Sequence, residues 1–290
     1  MNYLFHIIII LNIYSILAVS TNLLVGMTNL LSLGQAAFYG IGAYLSVYAI
    51  QVLHLPLLPA LLFIIVLTSL ISLVIAYPSL RLKGDYFILA TLGFQLIISS
   101  ILHNWTNVTG GPYGISGISA PDFLGIFNVS STFSFLILST VINIIIILIL
   151  RSLINSPFGR VLKALREDEI ALSSLGRNVT SYKIFVFIIS SGFISTSGLI
   201  YSTYMSYIDP GSFNLDQAIF ILCAVLIGGT GNIKGPIAGA CFVVLLPEIF
   251  SFIGFPDNIA ANLRQIVYGL SLIILMQYRP QGLAGIYRIK

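Results

Sequence analysis

Long apolar segments separated by short polar ones recur along the whole chain. Runs of about 17 to 23 predominantly apolar residues are long enough to cross a hydrocarbon core roughly 30 Å thick as helices. Between these runs there is no room for a separate soluble domain. The pattern predicts about nine membrane-spanning helices, at residues 4–24, 34–52, 57–79, 86–103, 133–151, 182–205, 216–231, 235–253 and 262–278.

The composition supports this interpretation. Of the 290 residues, 58% are hydrophobic and 8% are charged, whereas soluble domains carry roughly 25% charged residues. The sequence therefore predicts an all-α polytopic membrane protein, with a single transmembrane domain over residues 1–290 and roughly eight to ten spanning helices. Broken helices and an internal repeat are further expectations. Residues 1–20 lack the basic start and the small-residue cleavage site of a signal peptide, so we expect a retained first helix.

The basic residues predict how the chain is oriented. If residues 152–181 are cytoplasmic, twelve of the thirteen Lys and Arg residues lie inside and only Arg264 lies outside. This asymmetry predicts a bacterial inner-membrane protein with an external N-terminus and a cytoplasmic C-terminus. The connection at residues 26–33 carries no charge, so the first two spans could instead form a broken or re-entrant pair. The twelve residues are Arg81, Lys83, Arg151, Arg160, Lys163, Arg166, Arg177, Lys183, Lys234, Arg279, Arg288 and Lys290.

The most unusual hydrophilic segment lies at residues 156–176, which hold three acidic and three basic residues. Ser156 suits an N-cap, Pro157 a first helical position and Gly176 a C-terminal cap, so one or two short helices are predicted. Apolar residues share one side at helical spacing, namely Val161, Leu162, Leu165, Leu172 and Leu175. The residues left for a polar partner are Arg166, Glu167, Asp168 and Glu169. A solvated loop that fixes topology and a docking helix both fit this pattern.

Two segments, at residues 32–44 and 228–240, are unusually rich in small residues. Small residues let membrane helices approach closely, so tight packing explains both segments without any further role. Gly and Pro clusters in two halves of a transporter also mark broken helices around a solute path, where helix N-termini face anionic groups. In that interpretation the candidate path residues are Ser32, Gly34, Gln35, Tyr39, Gly40, Gly228, Gly229 and Gly231.

Other candidate chemistry is sparse. Residues 228–235 are similar to a phosphate-binding loop, but Lys234 is followed by Gly and no strand precedes it, which excludes nucleotide binding there. The three His residues are scattered, and the two Cys residues lack metal-ligand or redox spacing. We therefore expect no metal site, no catalytic residue, no cofactor in this chain and no enzymatic activity. Glu248 lies within an apolar span, where a structural hydrogen bond near the outer interface and a role in the solute path are both open.

Six blocks in this order resemble the LivM-like permeases of branched-chain amino-acid ABC importers. Gln35 stands where that family often has His, and Tyr113 stands where it often has Asn, which leaves solute selectivity open. The blocks are residues 30–44 (LLSLGQAAFYGIGAY), 84–94 (GDYFILATLGF), 109–115 (TGGPYGI), 158–171 (FGRVLKALREDEIA), 228–236 (GGTGNIKGP) and 279–283 (RPQGL).

The resemblance implies a set of partners. These are a related LivH-like permease subunit, two cytosolic ABC ATPase subunits that bind ATP and Mg²⁺, a periplasmic or extracellular solute-binding protein, and membrane lipid, with no nucleic acid. It also implies that residues 156–178 form a cytoplasmic coupling helix that seats in an ATPase subunit. The coupling residues would be Arg160, Arg166, Glu167, Asp168, Glu169, Ala171 and Gly176, a loose match to the EAA-type loop of ABC permeases.

The resemblance further implies the function of a permease subunit that moves branched-chain amino acids, or a related small amino-acid or amide solute, into the cytoplasm. Two alternatives belong to other classes. An ATP-independent secondary transporter of small polar solutes would have the same apolar spans but would give residues 157–176 no role. A membrane-embedded lipid-modifying enzyme would need a cluster of His, Asp or Glu at one interface, and the sequence contains none.

Overall fold

The computed structural model describes residues 2–82, 84–118, 131–253, 257–279 and 281–285. Within these residues the chain forms twelve α-helices and one two-stranded antiparallel sheet. The helices are α1 (Asn2–Thr28), α2 (Gln35–Val47), α3 (Leu57–Ser79), α4 (Asp85–Asn104), α5 (Thr106–Thr109), α6 (Thr132–Asn155), α7 (Pro157–Glu167), α8 (Glu169–Ser174), α9 (Val179–Met205), α10 (Leu215–Gly228), α11 (Lys234–Ile253) and α12 (Asp257–Tyr278). The strands are β1 (Ile115–Ser116) and β2 (Tyr207–Ile208).

Each of the nine predicted spans coincides with a helix, and the all-α membrane class is confirmed apart from the two short strands. Among the described residues, five helices are long and apolar enough to cross a membrane, namely α1, α3, α4, α6 and α9. Helix α2 has 13 residues and α10 has 14, which is fewer than the roughly 20 that a full crossing needs. The count of nine crossings stays a prediction.

The helix ends meet on two opposite faces of the bundle. On one face the chain after α12 pairs with the end of α10, where the Leu283 N–H donates to the Ile227 carbonyl at 2.9 Å. We call this side, which also carries α7 and α8, the basic face. On the other side β1 pairs with β2, and the Gln51 amide donates to the Gly117 carbonyl at 3.0 Å. We call this side the strand face.

The Lys and Arg residues with described side chains lie at helix ends or in connections on the basic face. The alternation of helix directions predicts this grouping from sequence. The residues are Arg81, Arg151, Arg160, Lys163, Arg166, Arg177, Lys183, Lys234 and Arg279. Lys83, Arg288, Lys290 and the side chain of Arg264 lie outside the described part of the chain.

The helices α1, α2 and α9 form the centre of the bundle, and polar contacts join them to their neighbours. Asn12 of α1 and Asn143 of α6 share a buried hydrogen bond of 2.9 Å. The hydroxyls of Ser46 and Ser202 lie 2.5 Å apart between α2 and α9. Because lipid offers no polar partner, such pairs stabilise helix association inside a membrane.

Helix α2 begins inside the bundle, well away from the basic face. Gly42 lies against Ser195, and Ser46 meets Ser202, so α2 and α9 run in parallel. Counting back along both helices places Gln35 level with about residue 188 of α9, roughly 13 Å above Val179 at 1.5 Å per residue. After α1 the chain therefore enters the bundle as the non-helical residues 29–34 and continues as α2 toward the strand face, so this part of the bundle begins with a break in the helix. Whether the first two spans form a broken or re-entrant pair in the membrane stays a prediction.

Candidate functional site

The hydrophilic segment forms two short helices that break at Asp168. The Ser156 hydroxyl caps α7 by accepting from the Gly159 N–H at 3.3 Å. Asp168 caps α8, since its Oδ1 accepts from the N–H groups of Ile170 and Ala171 at 2.8 and 3.0 Å. The predicted N-cap at Ser156 is confirmed, and the capping carboxylate of Asp168 explains why one helix becomes two.

The apolar side of this segment packs on the bundle, with one exception. Leu162, Leu165 and Leu172 are buried as predicted. Leu175 is 79% exposed, so its predicted place on the packed side is wrong. Helix α8 ends at Ser174, and helical spacing no longer determines where the next side chain points. Ile170, which the periodicity did not single out, is 78% exposed beside it.

Arg166 points into the bundle, which corrects the prediction that it faces a polar partner. Its guanidinium donates to the Gly26 carbonyl of α1 and, at 3.3 Å, to the Thr230 hydroxyl between α10 and α11. The long side chain crosses from α7 to two neighbouring elements, which periodicity along α7 cannot show.

The other charged residues of the segment differ in whether they form contacts within this chain. Glu169 forms an ion pair with Lys183 of α9 at 2.7 Å and stays 48% exposed. One carboxylate oxygen of Asp168 accepts the two capping hydrogen bonds of α8. The remaining predicted coupling residues, Arg160, Glu167, Ala171 and Gly176, are exposed. These four residues are accessible, and their role in coupling stays a prediction.

The loop between α10 and α11 is bound from several sides and forms, with the end of α1 and Arg166, a junction on the basic face. The Asn22 amide of α1 donates to the Asn232 carbonyl at 2.8 Å. The Asn232 amide in turn donates to the carbonyl of Ala284 in the chain after α12. The junction therefore ties the hydrophilic segment to α1, α10, α11 and the C-terminal segment.

Gly228, Gly229 and Gly231 belong to this junction. A Cβ on Gly228 would lie 2.6 Å from the Gly235 carbonyl carbon, and one on Gly229 would lie 2.5 Å from the Gln281 oxygen. Gly231 donates its N–H to Asn22 Oδ1 at 3.4 Å. Close backbone packing accounts for Gly228 and Gly229, and a positive φ of 95° accounts for Gly231. A role of the three glycines in a solute path stays a prediction.

The other candidate path residues surround the beginning of α2, and Ser32, Gln35 and Tyr39 are nearly inaccessible. Gln35 is 2% exposed, and its side-chain oxygen has no hydrogen-bond partner among the described residues. Tyr39 packs edge-on against Phe213 with ring centroids 4.9 Å apart. The Gly34 N–H donates to the Ser32 hydroxyl, and no side chain in the described part of the chain caps the N-terminus of α2. Gly40 lies against Phe213.

With this geometry in place, comparison with known proteins identifies the family. Residues 3–276 match the model of the family described as "Branched-chain amino acid transport system / permease component". The chain belongs to this permease family. The Salmonella typhimurium LivM protein, a high-affinity branched-chain amino acid transport system permease, is 32% identical over 95% of this chain and 68% of its own length.

Other relatives of the chain include one with the same named cargo and one with a different cargo. The probable branched-chain amino acid permease LivM of Methanocaldococcus jannaschii is 31% identical over 76% of this chain and 66% of its own length. The autoinducer 2 import permease LsrC of Salmonella paratyphi B is 25% identical over 58% of this chain and 49% of its own length. The chain is thus LivM-like, and its relatives include a permease named for a different solute.

A polar groove beside α4 was not among the features predicted from the sequence. A groove of about 310 Å³ opens toward the strand face between α4 and the start of α10. Its lining includes Ser99, Ser100, His103 and Asn104 of α4. The buried Gln95 lies one turn below on the same helix, and its side-chain oxygen also lacks a described partner. Polar residues at intervals of four, 95–99–103 and 100–104, were the signal in the sequence.

Glu248 of α11 is bonded to the beginning of α1. Tyr3 of α1 donates a hydrogen bond to the Glu248 carboxylate near the strand face. This is the structural hydrogen bond that the sequence left as one of two options for Glu248. Across the described part of the chain, no three His, Cys, Asp or Glu residues lie close enough to hold a metal ion.

Proposed function

We propose that this LivM-like permease is a membrane subunit of an ATP-driven importer that carries a branched-chain amino acid, or a related small amino-acid or amide solute, into the cytoplasm. The basic face, with the C-terminus, is the cytoplasmic side. A related permease subunit completes the membrane part, two ATPase subunits bind ATP and Mg²⁺, and an external binding protein delivers solute. The homologues named for branched-chain amino-acid transport support this choice of solute.

The observation that carries the proposal is the exposed apolar pair Ile170 and Leu175. Both side chains are more than three-quarters exposed, at 78% and 79%, on a segment whose inner side is held by buried leucines. The charged residues Glu167, Asp168 and Glu169, which directly precede Ile170 in the chain, are exposed as well. An apolar centre with a polar rim is typical of a protein–protein interface. We assign it to the ATPase subunit.

Motion of the ATPase would reach the solute through the junction. A shift of α7 acts on Arg166, which is bonded to the end of α1 and to the α10–α11 loop. Residues 29–34 join the end of α1 directly to the N-terminus of α2. We infer that displacement of α7 moves this N-terminus and switches the bundle between outward-open and inward-open states.

The beginning of α2 offers groups that complement the carboxylate and the ammonium or amide group of an amino-acid solute. Its uncapped N-terminus is the positive end of a helix dipole and would attract the solute carboxylate. The side-chain oxygen of Gln35, which has no hydrogen-bond partner among the described residues, would accept a hydrogen bond from the ammonium or amide group. The side-chain oxygen of Gln95 lies on the neighbouring α4 and offers a second acceptor. The predicted path residues Ser32, Gly34, Tyr39 and Gly40 surround this region.

Reconstitution tests the proposal. The chain is placed in liposomes with the second permease and the ATPases, and uptake of labelled leucine is measured with the binding protein outside. Leucine uptake that requires ATP inside the ATPase-containing liposomes supports the importer. Uptake driven by an ion gradient in liposomes that lack the ATPases would establish a secondary transporter instead.

A further inference from the structure

A groove at the edge of the basic face lies beside the hydrophilic segment and outside the junction. It has a volume of about 530 Å³ and is bounded by the end of α6, by α7 and by the first turns of α9. Its walls are apolar and include Leu153, Phe158, Phe185 and Ile189, whereas Arg177 lies at its mouth. Such a groove combines an apolar length with a basic end.

A second groove of about 490 Å³ adjoins the first and adds another arginine. The two share Phe158, Tyr182 and Arg177, and the second also contains Arg160. The rings of Phe158 and Tyr182 lie 5.5 Å apart and form the wall common to both. Two guanidinium groups thus belong to one continuous surface.

The charge of this surface is unbalanced. Neither Arg160 nor Arg177 forms an ion pair with a described carboxylate, and none of the described Asp or Glu residues lines either groove. The nearby Glu169 is already paired with Lys183 at 2.7 Å. Two exposed guanidinium groups without a carboxylate favour an anionic ligand, and Arg binds phosphate especially well because its donors match the phosphate oxygens.

The depth of the groove decides the kind of ligand. Phe185 and Ile189 lie six and ten residues beyond the start of α9 at Val179, which is about 9 and 15 Å along the helix axis. Phe185 is 59% exposed at this depth. A soluble protein docked at the membrane surface does not reach so far into the hydrocarbon layer, whereas an acyl chain occupies it.

We propose that this double groove binds an anionic phospholipid of the surrounding membrane. The phosphate lies at the mouth between Arg160 and Arg177, and one acyl chain follows Phe185 and Ile189 along α9. The positive end of the α9 dipole adds to the attraction at the mouth. Since Arg160 and Phe158 belong to α7, the bound lipid contacts the same helix that carries Arg166.

Native mass spectrometry of the purified full chain in detergent tests the site. Phosphatidylglycerol and phosphatidylcholine with the same acyl chains are added in parallel, and bound lipid is counted for the wild type and for variants. We expect phosphatidylglycerol to bind in preference. We also expect Arg160→Gln with Arg177→Gln to weaken its binding about 25-fold, or roughly fivefold for each arginine. Arg151→Gln is the matched control, an exposed arginine of α6 outside both grooves.

Several results would overturn the proposal. These are equal binding of the two lipids, the same loss in Arg151→Gln, or no loss in the double variant. Complete displacement of the lipid by millimolar inorganic phosphate would show a free-anion site. If the double variant does not insert into the membrane, Phe185→Ala tests the proposal instead and should lower phosphatidylglycerol occupancy several-fold. Leu148, an exposed apolar residue of α6 outside the grooves, is the matched control, and Leu148→Ala should leave the occupancy unchanged. Equal effects of these two alanine variants would also overturn the proposal.

Discussion

Arg166 in α7 donates a hydrogen bond to the backbone carbonyl oxygen of Gly26 in the last turn of α1. Helix α1 ends at Thr28, so this carbonyl has no N–H four residues further along the helix to accept from. A guanidinium at the negative end of a helix dipole is also electrostatically favourable. The contact therefore gives the Gly26 carbonyl a hydrogen-bond partner and connects α1 to the segment that we propose binds the ATPase.

Removing this connection should prevent the solute-binding region from stimulating the ATPase. We expect Arg166→Ala to lower solute-stimulated ATPase activity at least tenfold, because a charged hydrogen bond is worth about 1.5–3 kcal/mol. Arg166→Lys keeps the charge but does not reach both Gly26 and Thr230, so partial activity is expected. Membrane insertion should be normal in both, as in the control Arg151→Ala. Wild-type stimulation in Arg166→Ala would contradict the proposed transmission.

The exposed apolar pair should matter for partner binding and not for folding. Ile170→Asp with Leu175→Asp should prevent copurification of the ATPase, since both side chains face solvent in this chain. Leu172→Asp is the contrasting variant, because Leu172 is buried and an ionised side chain there should destabilise the segment itself. Copurification is measured by affinity capture, and thermal unfolding separates the two effects. Retention of the ATPase by the double variant would exclude this surface as the docking site.

Glu169 offers a charge-exchange test. The reversal Glu169→Lys should abolish solute-stimulated ATPase activity by breaking the ion pair that holds α8 to α9. Glu169 is 48% exposed and Lys183 is 12% exposed. Because the Glu169 end of the pair is in water, the pair contributes only about 1 kcal/mol to stability, and the protein should remain folded. The exchange Glu169→Lys with Lys183→Glu should recover activity to within about threefold. If the exchanged protein stays inactive, Glu169 acts by touching the partner directly.

The solute path is tested at the beginning of α2. Gln35→Leu should abolish uptake while the complex still assembles, because the acceptor for the solute amine is lost. Gly34→Leu and Gly40→Leu should block uptake as well. Assembly is followed by gel filtration, and uptake is followed with labelled leucine. Unaffected uptake in the glycine variants would support a role in packing alone.

Two glycines at the α2–α9 contact should control stability instead. A Cβ on Gly42 would lie 2.5 Å from Ser195 Cα, and one on Gly198 would meet the backbone of α2. We expect Gly42→Ala and Gly198→Ala each to lower the free energy of unfolding by about 1–3 kcal/mol. Gly93 of α4 has open space around it, so Gly93→Ala should be neutral or stabilising by up to about 1 kcal/mol. Denaturant unfolding in detergent distinguishes these outcomes.

The helices and their membrane character were accessible from the sequence alone. Apolar length and period are properties of consecutive residues, so every predicted span coincides with a helix. Helix capping could also be predicted from the sequence, because Ser156 caps α7 by accepting from a neighbouring N–H and Pro157 begins the helix. The grouping of basic residues followed from counting helix directions, which needs no contact between distant parts of the chain.

Contacts between distant residues were decided by the tertiary structure alone. Periodicity showed which residues of α7 share a side, but the partners of Arg166 come from α1 and the α10–α11 loop, 140 and 64 residues away. Leu175 lost its predicted burial because the helix ended one residue earlier. The depth at which α2 begins depends on the match of Gly42 to Ser195 in α9. Local pattern determines an element, whereas what that element meets depends on how the whole bundle packs.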